Sequence, residues 1–460
     1  MKRRILVIGG VAAGPAAAAK AKRVDSSAEV ILVESGEHIS YGICELPYFI
    51  GGEVKDPGRL IVYTPERFEM EKGVVVKTLH RAESIHPLRR LVEVRDFERS
   101  VVLEIPYDRL IVATGSRPKR LGIAGEDARN VFTVKSYPHA LALERFIAES
   151  HPRKAVIIGA GYIGMEMAES LAVRGIECVL IHRHDLPMWG LEQGTREAVA
   201  EELSAHGVRF VAKSEVIGFD VSGDLLVKRV RTQNESFDCD LVIVSIGVEP
   251  ESTLAATAGA RCGSHHGILT DRRQVTSVGN IYAAGDCCEV RNVVSQKWMY
   301  APLATIAARQ GRVAGENAAG GSAIFRGALR SIAVRVFSLE VARVGLSSHE
   351  AKEHGFDAVT GHIEANSRIP FFAGNAKVHV TTVAEKRTGR LLGANVYGRD
   401  GAVLRANTLA LAIQQRLSAR DLAETDLIYS PPFSPLWDPL LIAASRLNKP
   451  MRDNEKPDSD

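Results

Sequence analysis

Cys44 is the residue whose type and setting most clearly suggest chemistry. It sits in SYGICELPYFIGG, Ser40 to Gly52, between a strand-like run and an apolar segment carrying Pro47. Position 49, where a C-x-x-x-x-C pair would place its second sulfur, is Phe49. The six cysteines (Cys44, Cys178, Cys239, Cys262, Cys287, Cys288) form no C-x-x-C pair either. A lone thiol at a helix start is expected to have a lowered pKa, because the helix dipole and nearby N–H groups favour the thiolate, with Glu45 opposing. Such a thiolate can cycle through a mixed disulfide or through a sulfenic acid.

Two glycine turns point to nucleotides. Gly9-Gly10-Val11-Ala12-Ala13-Gly14 keeps the first and third glycines of G-x-G-x-x-G with Val11 at the second, and Pro15 fits a helix start. Glu34 closes the following strand, where a carboxylate can accept from a ribose hydroxyl. Gly159-Ala160-Gly161-Tyr162-Ile163-Gly164 is a complete fingerprint, its N–H groups and helix N-terminus suited to a pyrophosphate. At the end of its next strand the acid is replaced by His182, followed by Arg183 and His184. That exchange removes the hydroxyl acceptor and offers cations to a 2′-phosphate, so the site reads as one for NADPH rather than NADH.

The elements that must position these residues repeat. "RRILVIGGVAAGP" and "KAVIIGAGYIGM" each start a strand–turn–helix unit, each followed by a second buried strand and later by one running into a turn, "YDRLIVATGSRP" and "CDLVIVSIGVEP". The expected fold is α/β, with two Rossmann-like dinucleotide-binding domains followed by an α+β domain. The first comprises residues 1–120 and 250–325, taking back the strand in "GNIYAAGD" and the helix near Ala304. The second comprises residues 121–249. Alternating strands and a helix opened by Ser347 and Glu350 as a capping box occupy 326–446, and the polar residues 447–460 read as a disordered tail.

With 460 residues, 58 Lys+Arg against 55 Asp+Glu and 45% hydrophobic residues, the chain lacks the basic excess of a nucleic-acid binder. Scattered cysteines fit a reducing compartment, the short apolar run at the N-terminus reads as a strand rather than a signal peptide, and no 18-residue apolar run occurs. A cytoplasmic protein outside the membrane is expected. Cys287-Cys288 reads as a pair of small buried residues, His265-His266 as a solvated turn, and no metal site is expected.

The two nucleotide units, "ATGSRP" and "GNIYAAGD" together resemble the pyridine nucleotide-disulfide oxidoreductases. The resemblance implies FAD on the first unit, with Asp286 on the ribityl chain, Ala113, Thr114 and Gly115 near the adenine half, and the helix from Ala304 directing its positive end at the flavin. It implies that Tyr162 and Glu166 lie beside the nicotinamide. Ser40, Cys44, Leu46, Pro47, Tyr48 and Gly51, with "YTPERF" and "DLIYSPPFSPLWDP", are similar to the single-cysteine branch, which includes coenzyme A disulfide reductases, oxidases, peroxidases and persulfide reductases.

Within that branch, Ala12 stands where oxidases and peroxidases typically carry a histidine, and "LIHRHD" looks like the coenzyme A disulfide reductases. Lys20, Arg23, Ser40 and Lys72 match positions that contact coenzyme A there, and Tyr429 matches a tyrosine that reaches the active site from the other subunit of a homodimer. Ile43 and Phe371-Phe372-Ala373-Gly374 depart from the pattern. The implied activity is NADPH-driven, FAD-dependent reduction of a small disulfide or persulfide, coenzyme A disulfide foremost. A sulfenic-acid oxidase or peroxidase and a flavin-bearing redox sensor are the alternatives.

Overall fold

The computed structural model describes residues 2–452. Strand Arg4–Ile8 is the centre of a five-stranded sheet in the order Ile281–Ala283, Arg109–Val112, Arg4–Ile8, Glu29–Val33, Val75–Lys77, every pairing parallel. Parallel strands carry helices on both faces, which is why RILVI, EVILV and RLIV read as nearly unbroken apolar runs. The second unit repeats this plan around Lys154–Ile158, in the order Arg209–Val211, Glu177–Ile181, Lys154–Ile158, Leu241–Val244, Val131–Phe132. Each unit carries a three-stranded antiparallel sheet, running from His80 to Pro106 in the first and from Val216 to Asp238 in the second. The chain leaves the first unit and returns to it along one antiparallel strand pair, Ser116–Pro118 against Val248–Pro250.

The alanine-rich segments have a packing purpose. Helix Ala13–Val24 lies against helix Ala304–Ala318 at backbone contact. A Cβ on Gly311 would come 2.2 Å from the Ala13 carbonyl oxygen, and one on Gly315 would come 2.1 Å from that of Ala17. Small residues on both helices let the axes approach and hold the start of the second helix beside the first glycine turn.

The third domain is an antiparallel sheet in the order Ile332–Val336, Leu339–Gly345, Leu391–Gly398, Lys377–Glu385, Ala358–Asn366. Ser347 and Glu350 form the expected reciprocal cap of helix Ser348–Glu353. The stretch expected as a disordered tail, 447–460, is helical as far as Arg452. Helix Pro439–Arg452 continues into it, because Leu447 is buried in the core of this domain and packs against Gly361. The rest of the expected tail, 453–460, lies outside the described residues.

Polar contacts fasten the third domain to the second unit. Buried Arg343 pairs with Glu350 and donates to the Gly190 carbonyl at 2.7 Å. Glu169 accepts from the Phe337 N–H at 2.7 Å, and Glu192 from the Ser348 N–H at 2.6 Å. Among the described residues no helix is long and apolar enough to cross a membrane.

Candidate active site

The segment carrying Cys44 belongs by sequence to the first unit but docks on the second. Leu46–Ile50 forms a short helix with Leu46 and Ile50 fully buried, in the same core as Met165 and Met167 of helix Tyr162–Val173. Two hydrogen bonds fix it there: Ser170 Oγ donates to the Pro47 carbonyl at 2.7 Å and Arg174 to the Ile50 carbonyl at 2.9 Å. Cys44 precedes this helix by two residues, because Glu45 is its N-cap. Its side chain opens to solvent in the single chain.

The charges around Cys44 come from both units. Burial pushes its thiol above the ordinary range even though part of its surface is open. Glu45, Glu166 and Asp286 push it further, and only Lys135 pulls it back. The expected lowering by the helix is therefore overturned: a five-residue helix supplies little dipole, and the nearby carboxylates outnumber the one cation. Lys135 Nζ lies 3.1 Å from Asp286 Oδ2, which also accepts from Ser116 Oγ at 3.0 Å. Glu166 is pushed up to about 7 by burial and by Glu169, against Arg335. It is therefore poised to hold or release a proton near neutral pH.

The first glycine turn fits a dinucleotide. Gly9 has φ +105°, and a Cβ there would meet the Ala113 carbonyl oxygen at 2.1 Å; one on Gly14 would meet the Gly9 oxygen at 1.7 Å. Val11 and Ala12 close the turn and the helix begins at Ala13. Glu34 Oε2 accepts from the Gly10 N–H at 2.6 Å, which anchors the carboxylate at the strand end. Thr114 Oγ1 donates to the Glu251 carbonyl, and Gly115 takes φ +74° at the exchange between units. Helix Ala304–Ala318 starts with no side-chain cap and with Ala304 exposed, so its first N–H groups are available. The Tyr300 hydroxyl is buried without a hydrogen-bond partner among the described residues. An uncapped helix start and an orphaned hydroxyl suit a bound polar group such as FAD.

In the second turn Gly159 (φ +105°) and Gly164 are equally tight, whereas a Cβ on Gly161 would meet nothing within 4 Å, leaving room for a pyrophosphate. Tyr162 and Ile163 pack on the core shared with the Cys44 segment. His182 differs from its expected role. Its Nδ1 accepts from the Ala160 N–H at 3.3 Å, the same bond to the turn that Glu34 makes in the first unit. Burial, His184, Arg183 and Arg196 push it down to about 4, so it is neutral at physiological pH and offers no cation. Arg183 is exposed, while Arg196 is paired with Asp185 at 2.7 Å.

The four residues matched to substrate contacts are not equally available. Lys20 Nζ is tied to Glu316 at 2.8 Å, bridging the two packed helices. Lys72 lies 4.8 Å from the centre of the Tyr63 ring and 3.6 Å from Glu71. Arg23 is exposed, and Ser40 takes φ +46° while its N–H donates to the Gly10 carbonyl at 2.7 Å. Tyr429 stands 44% exposed on the third domain among Ile428 (90%), Phe433 (75%) and Trp437 (64%), an apolar face left uncovered among the described residues.

The pyridine nucleotide-disulphide oxidoreductase family matches residues 3–311, and the dimerisation domain of that family matches residues 332–439. The chain belongs to the pyridine nucleotide-disulphide oxidoreductases. It is 33% identical over 446 residues to the NAD(P)H coenzyme A polysulfide/persulfide reductase of Pyrococcus horikoshii, covering 96% of this chain and 98% of that one. Among solved structures it is similar to reduced CoADR-RHD of Bacillus anthracis (TM-score 0.95, 32% identity, 98% of this chain and 81% of that one). It is also similar to the water-forming NADH oxidase of Lactobacillus brevis bound to NADH (TM-score 0.94, 28% identity, 99% of this chain and 100% of that one). Oxidoreductases of this family use FAD and NAD(P)H, and the chain carries their dimerisation domain.

Lys135, Tyr300, Glu169 and Arg335 were not singled out by sequence. Each lies outside a motif and reaches the site through tertiary contacts that no local spacing announces.

The charge balance at Cys44 predicts opposite effects of two substitutions. In Glu45→Gln the pH midpoint of iodoacetamide alkylation at Cys44 moves down; in Lys135→Met it moves up. Two shifts of the same sign, or none, would contradict the balance.

Proposed function

We propose that this oxidoreductase reduces a small-thiol disulfide or persulfide, of the coenzyme A class, through Cys44 acting without a second cysteine. The observation carrying the reading is the placement of Cys44. Its segment is pinned to the second unit, and the nearby charges include Lys135 from the second unit and Asp286 from the first. The coenzyme A and persulfide reductases among its relatives support the substrate class.

FAD, when bound, supplies at Cys44 the electron pair taken from the nicotinamide. The chain's own residues do the rest. The Cys44 thiolate attacks one sulfur of the substrate disulfide, forming a Cys44 mixed disulfide and expelling the other sulfur as thiolate. Glu166 and Lys135 are the groups near enough to trade or stabilise charge there. Two electrons and a proton then release the second thiol and restore Cys44. The apolar face around Tyr429 fits a second copy of the chain in a homodimer, with Tyr429 donating its hydroxyl proton to the departing sulfur.

Arg183 is the group that carries the NADPH preference, since His182 is neutral. Exposed Arg23 remains open to a phosphate-bearing substrate, whereas Lys20 would first have to leave Glu316. Oxidase chemistry is the second reading, favoured by the likeness to the NADH oxidases of Lactobacillus brevis and Methanocaldococcus jannaschii. It requires coenzyme consumption that depends on oxygen and on no disulfide.

Cys44→Ser should retain yellow FAD and its bleaching by NADPH, while disulfide-dependent turnover falls to background; turnover at the wild-type rate would refute the role. For Arg183→Ala, KM for NADPH should rise about 10-fold, as for loss of one charge-assisted hydrogen bond, with KM for NADH unchanged. An equal rise with both coenzymes would remove Arg183 as the discriminator.

A further inference from the structure

A cavity of about 630 Å³ opens in the first unit, and none of its walls comes from the glycine turns or the Cys44 segment. It lies between the turn preceding strand Ile281–Ala283, the strand pair Val290–Arg291 and Trp298–Met299, and residues 325–327. Its volume is that of a small-molecule site.

Charge in this cavity is segregated. Arg261, Arg272, Arg291 and Arg326 line it and are exposed, and none joins an ion pair among the described residues. Arg291 is held in place: its guanidinium donates to the Gln296 carbonyl at 3.1 Å and lies 4.7 Å from the centre of the Trp298 ring. Asp271 faces the same space, but its carboxylate is engaged by the N–H groups of Arg273 and Val275 at 2.8 and 2.9 Å. Four guanidinium groups against two carboxylates leave the cavity cationic.

The inner wall is different. Glu289 is fully buried; Oε1 accepts from the His265 N–H at 2.8 Å, and Oε2 has no partner among the described residues. The carboxylate nests against the 263–267 turn, where a Cβ on Gly263 would stand 2.3 and 2.4 Å from its two oxygens, so it lies just behind the cavity wall. An acceptor short of donors there makes this end favour N–H groups and repel anions. Gln274 and Gln310 lie beside it, both 2% exposed. Gln310 Oε1 also accepts from the Gly285 N–H at 3.0 Å, which puts the wall one hydrogen bond from the turn carrying Asp286.

A ligand that meets both ends has phosphates outside and a flat base with N–H donors inside. We propose that this cavity binds a nucleoside phosphate, its phosphates on the four arginines and its base between Trp298 and the Glu289 wall. The site is separate from both glycine turns and stands independently of the reaction proposed above.

The test is calorimetric titration of ADP, GDP and inorganic pyrophosphate into the FAD holoenzyme kept saturated with NADP⁺. At least one nucleotide should bind, and the Arg291→Ala/Arg326→Ala double variant should lose one site per chain or about 10-fold or more in its affinity, with KM for the nicotinamide coenzyme unchanged. Glu289→Gln should weaken the nucleotide and leave pyrophosphate as it was. No nucleotide binding, or binding that the arginine variant retains in full, overturns the proposal. Pyrophosphate binding as tightly as the nucleotides overturns the assignment of the inner wall to a base. Should Glu289→Gln fail to fold, the arginine variant and the pyrophosphate comparison decide.

Discussion

The seating of one short helix on the neighbouring unit is the constraint from which the rest of the site follows. Leu46 and Ile50 are buried against helix Tyr162–Val173, and Ser170 of that helix with Arg174 at its C-cap hold the carbonyls of Pro47 and Ile50. The Pro47 carbonyl also accepts from the Gly51 N–H at 2.8 Å, so Ser170 adds a second donor there, while Arg174 supplies a donor to the Ile50 carbonyl at the helix end, where acceptors lack partners within the helix. The contact crosses the boundary between the two nucleotide units, so it fixes Cys44 relative to both. Any movement of one unit against the other would have to break it.

This placement sets the electrostatics of the thiol. Glu45 is the adjacent residue, Glu166 comes from the second unit's helix, Lys135 follows that unit's strand Val131–Phe132, and Asp286 follows the first unit's strand Ile281–Ala283. Local sequence suggests a thiolate favoured by a helix start, but the assembled site opposes the thiolate with three carboxylates and supports it with one ammonium. A thiol that stays protonated at rest is protected from adventitious oxidation and gains nucleophilic strength when it ionises. Glu166, with its carboxyl near neutrality, is a natural acceptor for that proton.

Much of the fold was legible because it is written locally. The glycine turns, Glu34 at its strand end, the capping box of Ser347 and Glu350 and the duplicated strand order all follow from spacing of a few to twenty residues. Features set by distant partners were not legible. Neutral His182 owes its state to burial, Lys20 is claimed by Glu316 nearly three hundred residues away, and the helix through Arg452 exists because Leu447 finds a core. The parallel between His182 and Glu34, each accepting an N–H of its glycine turn, appears only when both units are seen folded. Substitution of an acid by a histidine there preserves a backbone contact and removes a charge.

The central claim, that Cys44 alone carries the sulfur chemistry, is tested most directly by a single turnover. Anaerobic enzyme reduced by NADPH is mixed with one equivalent of coenzyme A disulfide, quenched in acid at intervals and analysed by intact mass and peptide mapping. The account predicts a transient coenzyme A adduct on Cys44, formed as one thiol is released and lost as the second appears. Release of both thiols with no adduct at Cys44, or an adduct at another cysteine, would contradict it.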